Sequence, residues 1–373
     1  MTSPFLRLWL LRQILSLPRA VLRFFSGGGV VYVGGRTLDA QIQFLWRTWF
    51  TSAKQDVTLS LSGKSLEIVR EEWQQTASLM GLPRGIKVRI EPAAGDAPGG
   101  IGGIVIKPAA IAPDAPLLVF FHQGVGVIGG PDLSRAFCAL FAHEARCPVF
   151  LPDYRLAPTY RFPAAYDDAR IAWDWAQANA VRLGARSGEV AIGGVTLGAN
   201  LAARLCLDLK RDFKPLPVAQ LLVTPLLDLG DPHLKTASDG LWPLCASDLD
   251  IMIAHYAGAG AGADLSDPRV SPAHEKLIIG QPRTLVVAAG LDPLAPQAEA
   301  FARRLIEART KVVYRRYDNL PLGFDLLASV VDEVRTATRD MARNWLDLLR
   351  LTRAEDAQVP AQALDHGPGE NVA

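Results

Sequence analysis

Short runs of apolar residues alternate with longer amphipathic segments through most of this chain. The apolar runs predict buried strands at Ile104–Ile106, Leu117–Phe121, Pro148–Leu151, Val190–Ile192, Gln220–Val223, Thr284–Ala288 and Val312–Tyr317. Segments with apolar residues three and four apart predict helices at Ser134–Ala145, Ala164–Arg182, Leu197–Lys210, Pro293–Ala308 and Val331–Leu351. Strands that are apolar on both faces and separated by helices are typical of a mostly parallel sheet covered on both sides. We therefore predict an α/β fold.

Two segments interrupt this alternation. Residues 1–82 and about 230–280 lack the regular pattern, and we predict that both form a cap over the carboxyl edge of the sheet. Ligands of open α/β sheets bind beyond that edge. The main domain would then span residues 83–351, with a hairpin in its Pro- and Gly-rich beginning. Residues 352–373 show no apolar periodicity and predict a disordered tail.

The first 26 residues combine apolar and cationic side chains. Leucines, Trp9 and other apolar residues are interleaved with four arginines, and no acidic residue precedes Asp39. Arg12 and Pro18 break the apolar run, which is therefore too short to span a bilayer. Two interpretations remain open at this point. The segment is either a cationic amphipathic helix that lies on a membrane surface or a helix docked on the protein's own apolar surface.

Composition narrows the classes of function. A chain of 373 residues that is 49% hydrophobic can bury a large core. The net charge of +1 provides no electrostatic basis for binding nucleic acid. The four cysteines are widely spaced, which predicts buried thiols and neither a metal site nor a cofactor. Since no cleavage site for export is evident, we expect a cytoplasmic protein, with peripheral membrane contact through residues 1–26 as the open alternative.

One segment has the frame of a hydrolase nucleophile turn but carries no serine. Residues 190–200 predict a strand, a sharp turn and a helix. Gly194 and Gly198 match both glycines of the Gly-x-Ser-x-Gly pattern, and Thr196 stands at the serine position between Val195 and Leu197. The pattern therefore predicts a nucleophile position that holds a threonine.

A longer motif indicates a family. Residues 153–158 read Asp-Tyr-Arg-Leu-Ala-Pro, and residues 162–165 read Phe-Pro-Ala-Ala. From about residue 116 to residue 324 the chain resembles the hormone-sensitive-lipase-like esterases and lipases of the α/β-hydrolase fold. The resemblance implies this fold, with a mostly parallel central sheet, and the hydrolysis of carboxylic esters by a Ser-His-Asp triad.

The resemblance also assigns the triad positions. Thr196 occupies the nucleophile position, and Asp292, within a Gly-Leu-Asp-Pro-Leu segment, occupies the acid position. Leu322 stands where the family places its catalytic histidine, and no histidine occurs between His274 and His366. Without an imidazole beside it, we expect the buried Asp292 carboxylate to find backbone donors or to take up a proton.

The oxyanion hole of the family is formed by backbone N–H groups in a His-Gly-Gly-Gly segment and after the nucleophile. The matching residues 122–126 read His-Gln-Gly-Val-Gly. This implies oxyanion-hole positions at Gln123, Gly124 and Leu197, and pocket positions at Val125, Gly126 and Val195. Because valine resists a positive φ, we expect Val125 to displace the hole. His122 is expected to be structural.

A neutral hydroxyl needs a general base within about 3 Å, and leucine cannot accept a proton. We therefore predict a silenced esterase that keeps an apolar pocket for an acyl or other small ligand, for binding or sensing. The alternative is a slow carboxylesterase in which Thr196 uses a displaced base. The candidates for that base are His233, His255, His274, Asp318, Asp325 and a partner chain. A membrane-surface scaffold that depends on residues 1–26 is a third hypothesis.

Overall fold

The computed structural model describes residues 4–33, 35–49, 65–93, 100–186, 189–234, 246–258 and 264–356. These residues form a large sheet of eight strands and a small hairpin. The strands of the large sheet are β3 (Val88–Pro92), β4 (Gly103–Pro108), β5 (Leu117–Phe121), β6 (Val149–Pro152), β7 (Val190–Val195), β8 (Gln220–Val223), β9 (Thr284–Leu291) and β10 (Val312–Pro321). The hairpin consists of β1 (Tyr32–Val33) and β2 (Arg36–Thr37).

Helices connect and cover the strands. They are α1 (Pro4–Leu15), α2 (Arg19–Phe25), α3 (Ala40–Phe44), α4 (Leu66–Met80), α5 (Pro131–Ala145), α6 (Ala164–Asn179), α7 (Leu197–Arg211), α8 (Ala246–Ala257), α9 (Ala295–Glu307) and α10 (Asp332–Asp356). A π-helical turn spans Leu45–Trp49, and 3-10 turns span Pro272–His274 and Phe324–Leu327.

The spatial order of the large sheet is β10-β9-β8-β7-β5-β6-β4-β3. The strands from β10 to β6 are parallel, whereas β4 is antiparallel to both of its neighbours, β6 and β3. Every residue of β5, β6, β7 and β8 is buried, as expected for strands with helices on both faces. The predicted α/β fold with a mostly parallel sheet is confirmed, and β3 with β4 forms the hairpin that the Pro- and Gly-rich segment indicates.

The predicted elements agree with the observed ones to within a few residues. β5 and β8 have the bounds that the apolar runs predict, whereas β7, β9 and β10 continue beyond them into the motifs at their carboxyl ends. α10 runs to Asp356, so residues 352–356 extend this helix into the segment predicted as a tail. Residues 357–373 lie outside the described part, and with them the rest of that prediction.

The predicted cap segments reach the sheet edge through α4 and α8. On α4, the guanidinium of Arg70 donates hydrogen bonds to Val127 O (2.9 Å) and Ala157 O (2.6 Å). On α8, the ring of Tyr256 packs edge-to-face against Phe162, with ring centroids 6.1 Å apart. Both helices therefore contact loops that follow the carboxyl ends of β5 and β6.

The N-terminal helices dock on the protein through one side. Leu11 and Leu15 of α1 and Leu22 of α2 are buried, and Arg12 Nη2 donates a hydrogen bond to Leu82 O (2.6 Å). The outward side of α1 still exposes Leu6, Trp9 and Leu10. No helix among the described residues combines the length and the apolar character needed to cross a bilayer.

Three of the four cysteines can be placed. Cys138, Cys147 and Cys206 are free thiols in the core, and burial raises the pKa of each. They are unreactive structural side chains, as the sequence predicts. Cys245 lies outside the described residues.

Candidate active site

Thr196 occupies a strained turn between β7 and α7. Its backbone has φ 57° and ψ −112°, a combination that is costly for a β-branched residue. The turn is held on both sides: Thr196 N–H donates to Val223 O (3.1 Å), and Thr196 O accepts from Leu226 N–H (3.1 Å) and Asn200 N–H (3.2 Å). The sharp turn predicted for a nucleophile position is thus present with threonine in it.

The two motif glycines allow this turn to lie against the sheet. A Cβ at Gly194 would be 2.3 Å from the carbonyl carbon of Gly198, and a Cβ at Gly198 would be 2.2 Å from Phe121 O. These distances are too short for any side chain. The pattern of two glycines around Thr196 therefore reflects close packing of α7 on the carboxyl ends of β7 and β5.

Asn200 ties the start of α7 to two neighbouring loops. Its side-chain Nδ2 donates to Leu226 O and to Val270 O, both at 2.9 Å. Leu226 follows β8, and Val270 belongs to the inserted segment. Asn200 is therefore a structural residue that holds the turn of Thr196 against the loop after β8.

The loop after β5 makes the turn expected of an oxyanion loop. Gly124, Val125 and Gly126 have φ values of 120°, 52° and 68°, and Gly124 O accepts hydrogen bonds from the N–H groups of Val127 and Ile128 (3.0 Å each). Val125 thus adopts the positive φ that valine resists, and its side chain is buried. This positive φ places strain in the loop at Val125.

The backbone N–H groups at the predicted oxyanion-hole positions have no partner among the described residues. Within the described residues, the N–H groups of Gln123, Gly124 and Leu197 donate no hydrogen bond. Leu197 N–H is also the first of α7, where helix N–H groups have no partner in the helix. These three groups lie in the two loops that the family uses for this purpose, so the donors do not depend on the lost side chains.

His122 is structural in this arrangement. Its ring is fully buried, stacks on Tyr154 with centroids 4.0 Å apart, and has Nδ1 2.8 Å from Gln123 O. Tyr154 OH donates to His122 O (2.9 Å), and burial lowers the pKa of His122 to about 4. The ring is therefore neutral near pH 7, and it supports the loop that carries the oxyanion donors.

Asp292 lies at the carboxyl end of β9 and is buried. Its Oδ1 accepts a hydrogen bond from Leu294 N–H (2.8 Å), while Oδ2 has no partner among the described residues. Burial raises the pKa of Asp292 to about 7, against the single favourable hydrogen bond from Leu294. Both outcomes expected for this carboxyl occur together: it finds one backbone donor, and it takes up a proton near neutral pH.

Leu322 is brought beside Asp292 by the register of the last two strands. Pro321 of β10 is paired with Leu291 of β9, so the residues that follow them, Leu322 and Asp292, leave adjacent strand ends. The strand ends approach closely, because a Cβ at Gly290 would lie 2.4 Å from Asp318 O. Leu322 is itself buried. A buried aliphatic side chain thus stands beside Asp292 at the position predicted for the catalytic histidine.

Gly126, one of the predicted pocket positions, lies against Leu197 and Tyr256. A Cβ at Gly126 would lie 2.6 Å from Leu197 Cδ2 and 2.6 Å from Tyr256 Cδ2. The oxyanion loop, the start of α7 and the cap helix α8 are therefore in contact through Leu197 and Tyr256. Val125, Val195 and Leu197 are all buried in this region.

The candidate replacement bases do not contact Thr196. No described residue makes a hydrogen bond to Thr196 Oγ1. His274 Nε2 is 3.2 Å from Asp228 Oδ1, and the side chain of Asp318 pairs with Arg36 (3.2 Å) and with Arg316.

The remaining candidates lie in different surroundings. His233 is exposed, and His255 is half-buried on α8. Asp325 is fully buried in the 3-10 turn after β10, where desolvation raises its pKa to about 7. His366, which the sequence places far from the motifs, is outside the described residues.

Two residues of the site were not identified from the sequence. Arg70 joins the oxyanion loop to the loop after β6, and Tyr256 covers Leu197 and Gly126. The sequence indicates the role of Arg70 only weakly. The one hint is that this cation lies between two core positions of α4, Val69 and Trp73. Tyr256 follows the apolar pattern of α8, which does not distinguish a cap contact from ordinary packing.

The buried Asp292 carboxyl makes stability depend on pH. Its pKa of about 7 when folded exceeds the ordinary value of 3.8, so between these values the folded protein holds a proton that the unfolded chain releases. Stability from this group should fall as the pH rises from about 4 to 7 and stay low above that. The wild type should lose free energy of unfolding between pH 5 and pH 8. We expect this loss to be smaller by about 2 kcal/mol in Asp292→Asn, because asparagine does not titrate.

Urea unfolding of wild type and Asp292→Asn at the two pH values measures this difference. Asp318→Asn is the matched control, because the Asp318 side chain is 57% exposed. An identical pH dependence for wild type and Asp292→Asn would contradict the raised pKa.

Comparisons with known proteins agree with this geometry. The family model of the alpha/beta hydrolase fold matches residues 118–326. The carboxylic ester hydrolase LipN of Mycobacterium tuberculosis is 32% identical over 323 residues, which cover 83% of this chain and 82% of LipN. Among solved structures, an esterase of Pyrobaculum calidifontis superposes with a TM-score of 0.69 at 26% identity, covering 76% of this chain and 94% of the esterase.

A second structure gives the same result. The esterase LipW of Mycobacterium marinum has a TM-score of 0.69 at 26% identity, covering 78% of this chain and 92% of LipW. The chain belongs to the α/β-hydrolase family, and the relatives described here are a carboxylic ester hydrolase and two esterases.

Proposed function

We propose that this chain is a non-catalytic member of its esterase family that binds a small apolar or acyl ligand. The observation that carries the proposal is Leu322, which stands beside Asp292 where a base is needed to take the proton from an attacking hydroxyl. Thr196 adds to it, because its hydroxyl has no hydrogen-bond partner among the described residues that could activate it.

The parts of the site that bind, in contrast to those that react, are retained. The strained turn at Thr196, the oxyanion loop and the N–H groups of Gly124 and Leu197 support capture of an ester or acid carbonyl. Val125, Leu197 and Tyr256 supply apolar surface next to these donors. A few oriented polar groups surrounded by apolar side chains are what a small-ligand site requires.

Hydrolysis assays test the first half of the proposal. We expect purified protein to hydrolyse p-nitrophenyl acetate and butyrate at the same rate as Thr196→Ala, because neither has a base for the nucleophile. Saturable turnover by wild type that disappears in Thr196→Ala would contradict the proposal. It would favour the alternative, a slow carboxylesterase that uses Thr196 with a displaced base, which the activities named for the relatives make the second candidate.

A binding assay tests the second half. A fluorescent amide of a medium-chain fatty acid serves as the probe, since an amide is not consumed. We expect Leu322→Asn to weaken binding of the probe roughly tenfold through loss of a buried apolar contact. Leu277→Asn is the matched control, because Leu277 is 71% exposed. Absence of saturable probe binding by wild type would refute ligand capture at this site.

A further inference from the structure

A cavity of about 210 Å³ lies between α1 and α10, away from the candidate active site. The charged residues of its lining, together with the polar Ser16, are Arg12, Arg84, Asp332, Arg335 and Arg339. We call it the arginine cavity. Its lining comes from the N-terminal segment, from α3, from the loop after α4 and from α10 with the residues just before it, so only the tertiary structure brings these side chains together.

Positive charge in the arginine cavity is only partly neutralised. Arg339 pairs with Glu144 (3.0 Å) and Arg335 with Asp332. Arg84 makes no hydrogen bond or ion pair within the described part of the chain. Four arginines therefore line the cavity, and two carboxylates pair with them. Asp332 lines the cavity itself, whereas Glu144 lies outside its lining.

Arg12 is the arginine on which burial and repulsion by the neighbouring cations act together. Its Nη2 donates to Leu82 O (2.6 Å), but its Nε is buried and has no hydrogen-bond partner among the described residues. Burial lowers the pKa of Arg12, and so do the like charges of Arg84 and Arg335. A guanidinium stays protonated at neutral pH, so this repulsion is relieved by an anion and not by loss of a proton.

The cavity also borders an exposed apolar surface. Trp9, Arg12 and Ser16 are three and four residues apart and lie along one side of α1. Trp9 is 47% exposed, and Leu6 and Leu10 beside it are each 43% exposed. A helix that carries apolar side chains next to cationic ones is suited to the boundary between lipid headgroups and acyl chains.

We propose that the arginine cavity binds a phosphate group and that its source is the headgroup of an anionic phospholipid. Guanidinium groups from several directions match the oxygens of a phosphate, which can accept more than one charge-assisted hydrogen bond at once. With the phosphate in the cavity, Leu6, Trp9 and Leu10 lie where they can enter the outer acyl region. Docking of α1 on the protein and contact of α1 with a membrane are then compatible, because Leu11 and Leu15 are buried while Leu6, Trp9 and Leu10 stay exposed.

The first arm of the test measures the phosphate site. Isothermal titration with inorganic phosphate, against sodium chloride of equal ionic strength, should show saturable binding to the full chain. We expect Arg84→Gln to weaken it roughly tenfold, because one charged donor is lost. Arg303→Gln, at a 71% exposed position on α9, and Trp9→Ser should leave it unchanged. Equal phosphate affinity for wild type and Arg84→Gln would overturn the proposal.

The second arm tests the source. Wild type should sediment with vesicles of equal parts phosphatidylcholine and phosphatidylglycerol and not with phosphatidylcholine alone. Arg84→Gln and Trp9→Ser should each reduce this binding, and inorganic phosphate should compete with it. Phosphate binding that depends on Arg84, without any binding to the mixed vesicles, would overturn the lipid as the source and leave a site for a soluble phosphate.

Discussion

If the proposed function holds, Thr196→Ser combined with Leu322→His is expected to create esterase activity that the wild type lacks. The double variant should hydrolyse p-nitrophenyl butyrate at least about a thousandfold faster than wild type, because it restores both the nucleophile and the base of a triad whose acid is still present. Initial rates over a series of ester concentrations measure the effect as kcat/KM.

The structure supplies the remaining parts. Asp292 lies beside residue 322 across the ends of β9 and β10, and its Oδ2 has no partner among the described residues, so it is free to accept a hydrogen bond from an introduced imidazole. That bond would also lower the pKa of Asp292, which burial now raises to about 7. Val195, which precedes Thr196, is left unchanged in this variant. It is fully buried in β7, and a charged residue such as aspartate would need a partner there.

The matched control is Thr196→Ala combined with Leu322→His. It carries the same imidazole but no hydroxyl, and it should stay at the wild-type rate. Equal rates for the double variant and this control would show that the loss of activity has another cause, such as strain at Val125 in the oxyanion loop.

Gly198→Ala is expected to lower the free energy of unfolding by about 3 kcal/mol, the upper part of the range for overpacking. The new Cβ would lie 2.2 Å from Phe121 O and 2.7 Å from His122 O, and both are backbone atoms that cannot rotate away. Relief requires α7 to move off the end of β5, which would also disturb the turn of Thr196. Urea unfolding followed by tryptophan fluorescence measures the change.

Gly102→Ala is the control for this variant. A Cβ at Gly102 meets no heavy atom within 4 Å, so we expect a change within about 0.5 kcal/mol. If the two variants were equally stable, the close approach of α7 to β5 would not exist in solution. The position of the turn relative to the oxyanion loop would then have to be revised.

The double variant at positions 196 and 322 tests catalysis, whereas Gly198→Ala tests the shape of the turn. Glycines 194 and 198 shape the turn whichever residue stands between them, and the turn survives with threonine in a conformation that disfavours it. The side chains at positions 196 and 322 are expected to act only on the proton transfer. Under the proposed function, the site would lose its reaction while its binding geometry remains.

Much of the fold and of the site could be predicted from local sequence. The apolar runs Leu117–Phe121 and Gln220–Val223 coincide with β5 and β8, because a strand buried on both faces must be apolar throughout. The strand, sharp turn and helix predicted for residues 190–200 are also present, as β7, the turn at Thr196 and α7. Each of these features depends on the conformation of neighbouring residues, which the sequence records directly.

Tertiary structure alone decided which distant residues meet. The pairing of Pro321 with Leu291 places Leu322 beside Asp292, and the tertiary packing brings Arg12, Arg84 and Arg335 together around the arginine cavity. Apolar periodicity reveals which side of an element is buried, but not which partner buries it or in what register. The sequence by itself therefore determined the α/β-hydrolase fold of this protein and predicted an altered triad. Packing over hundreds of residues determined what surrounds that triad and where the cationic helix docks.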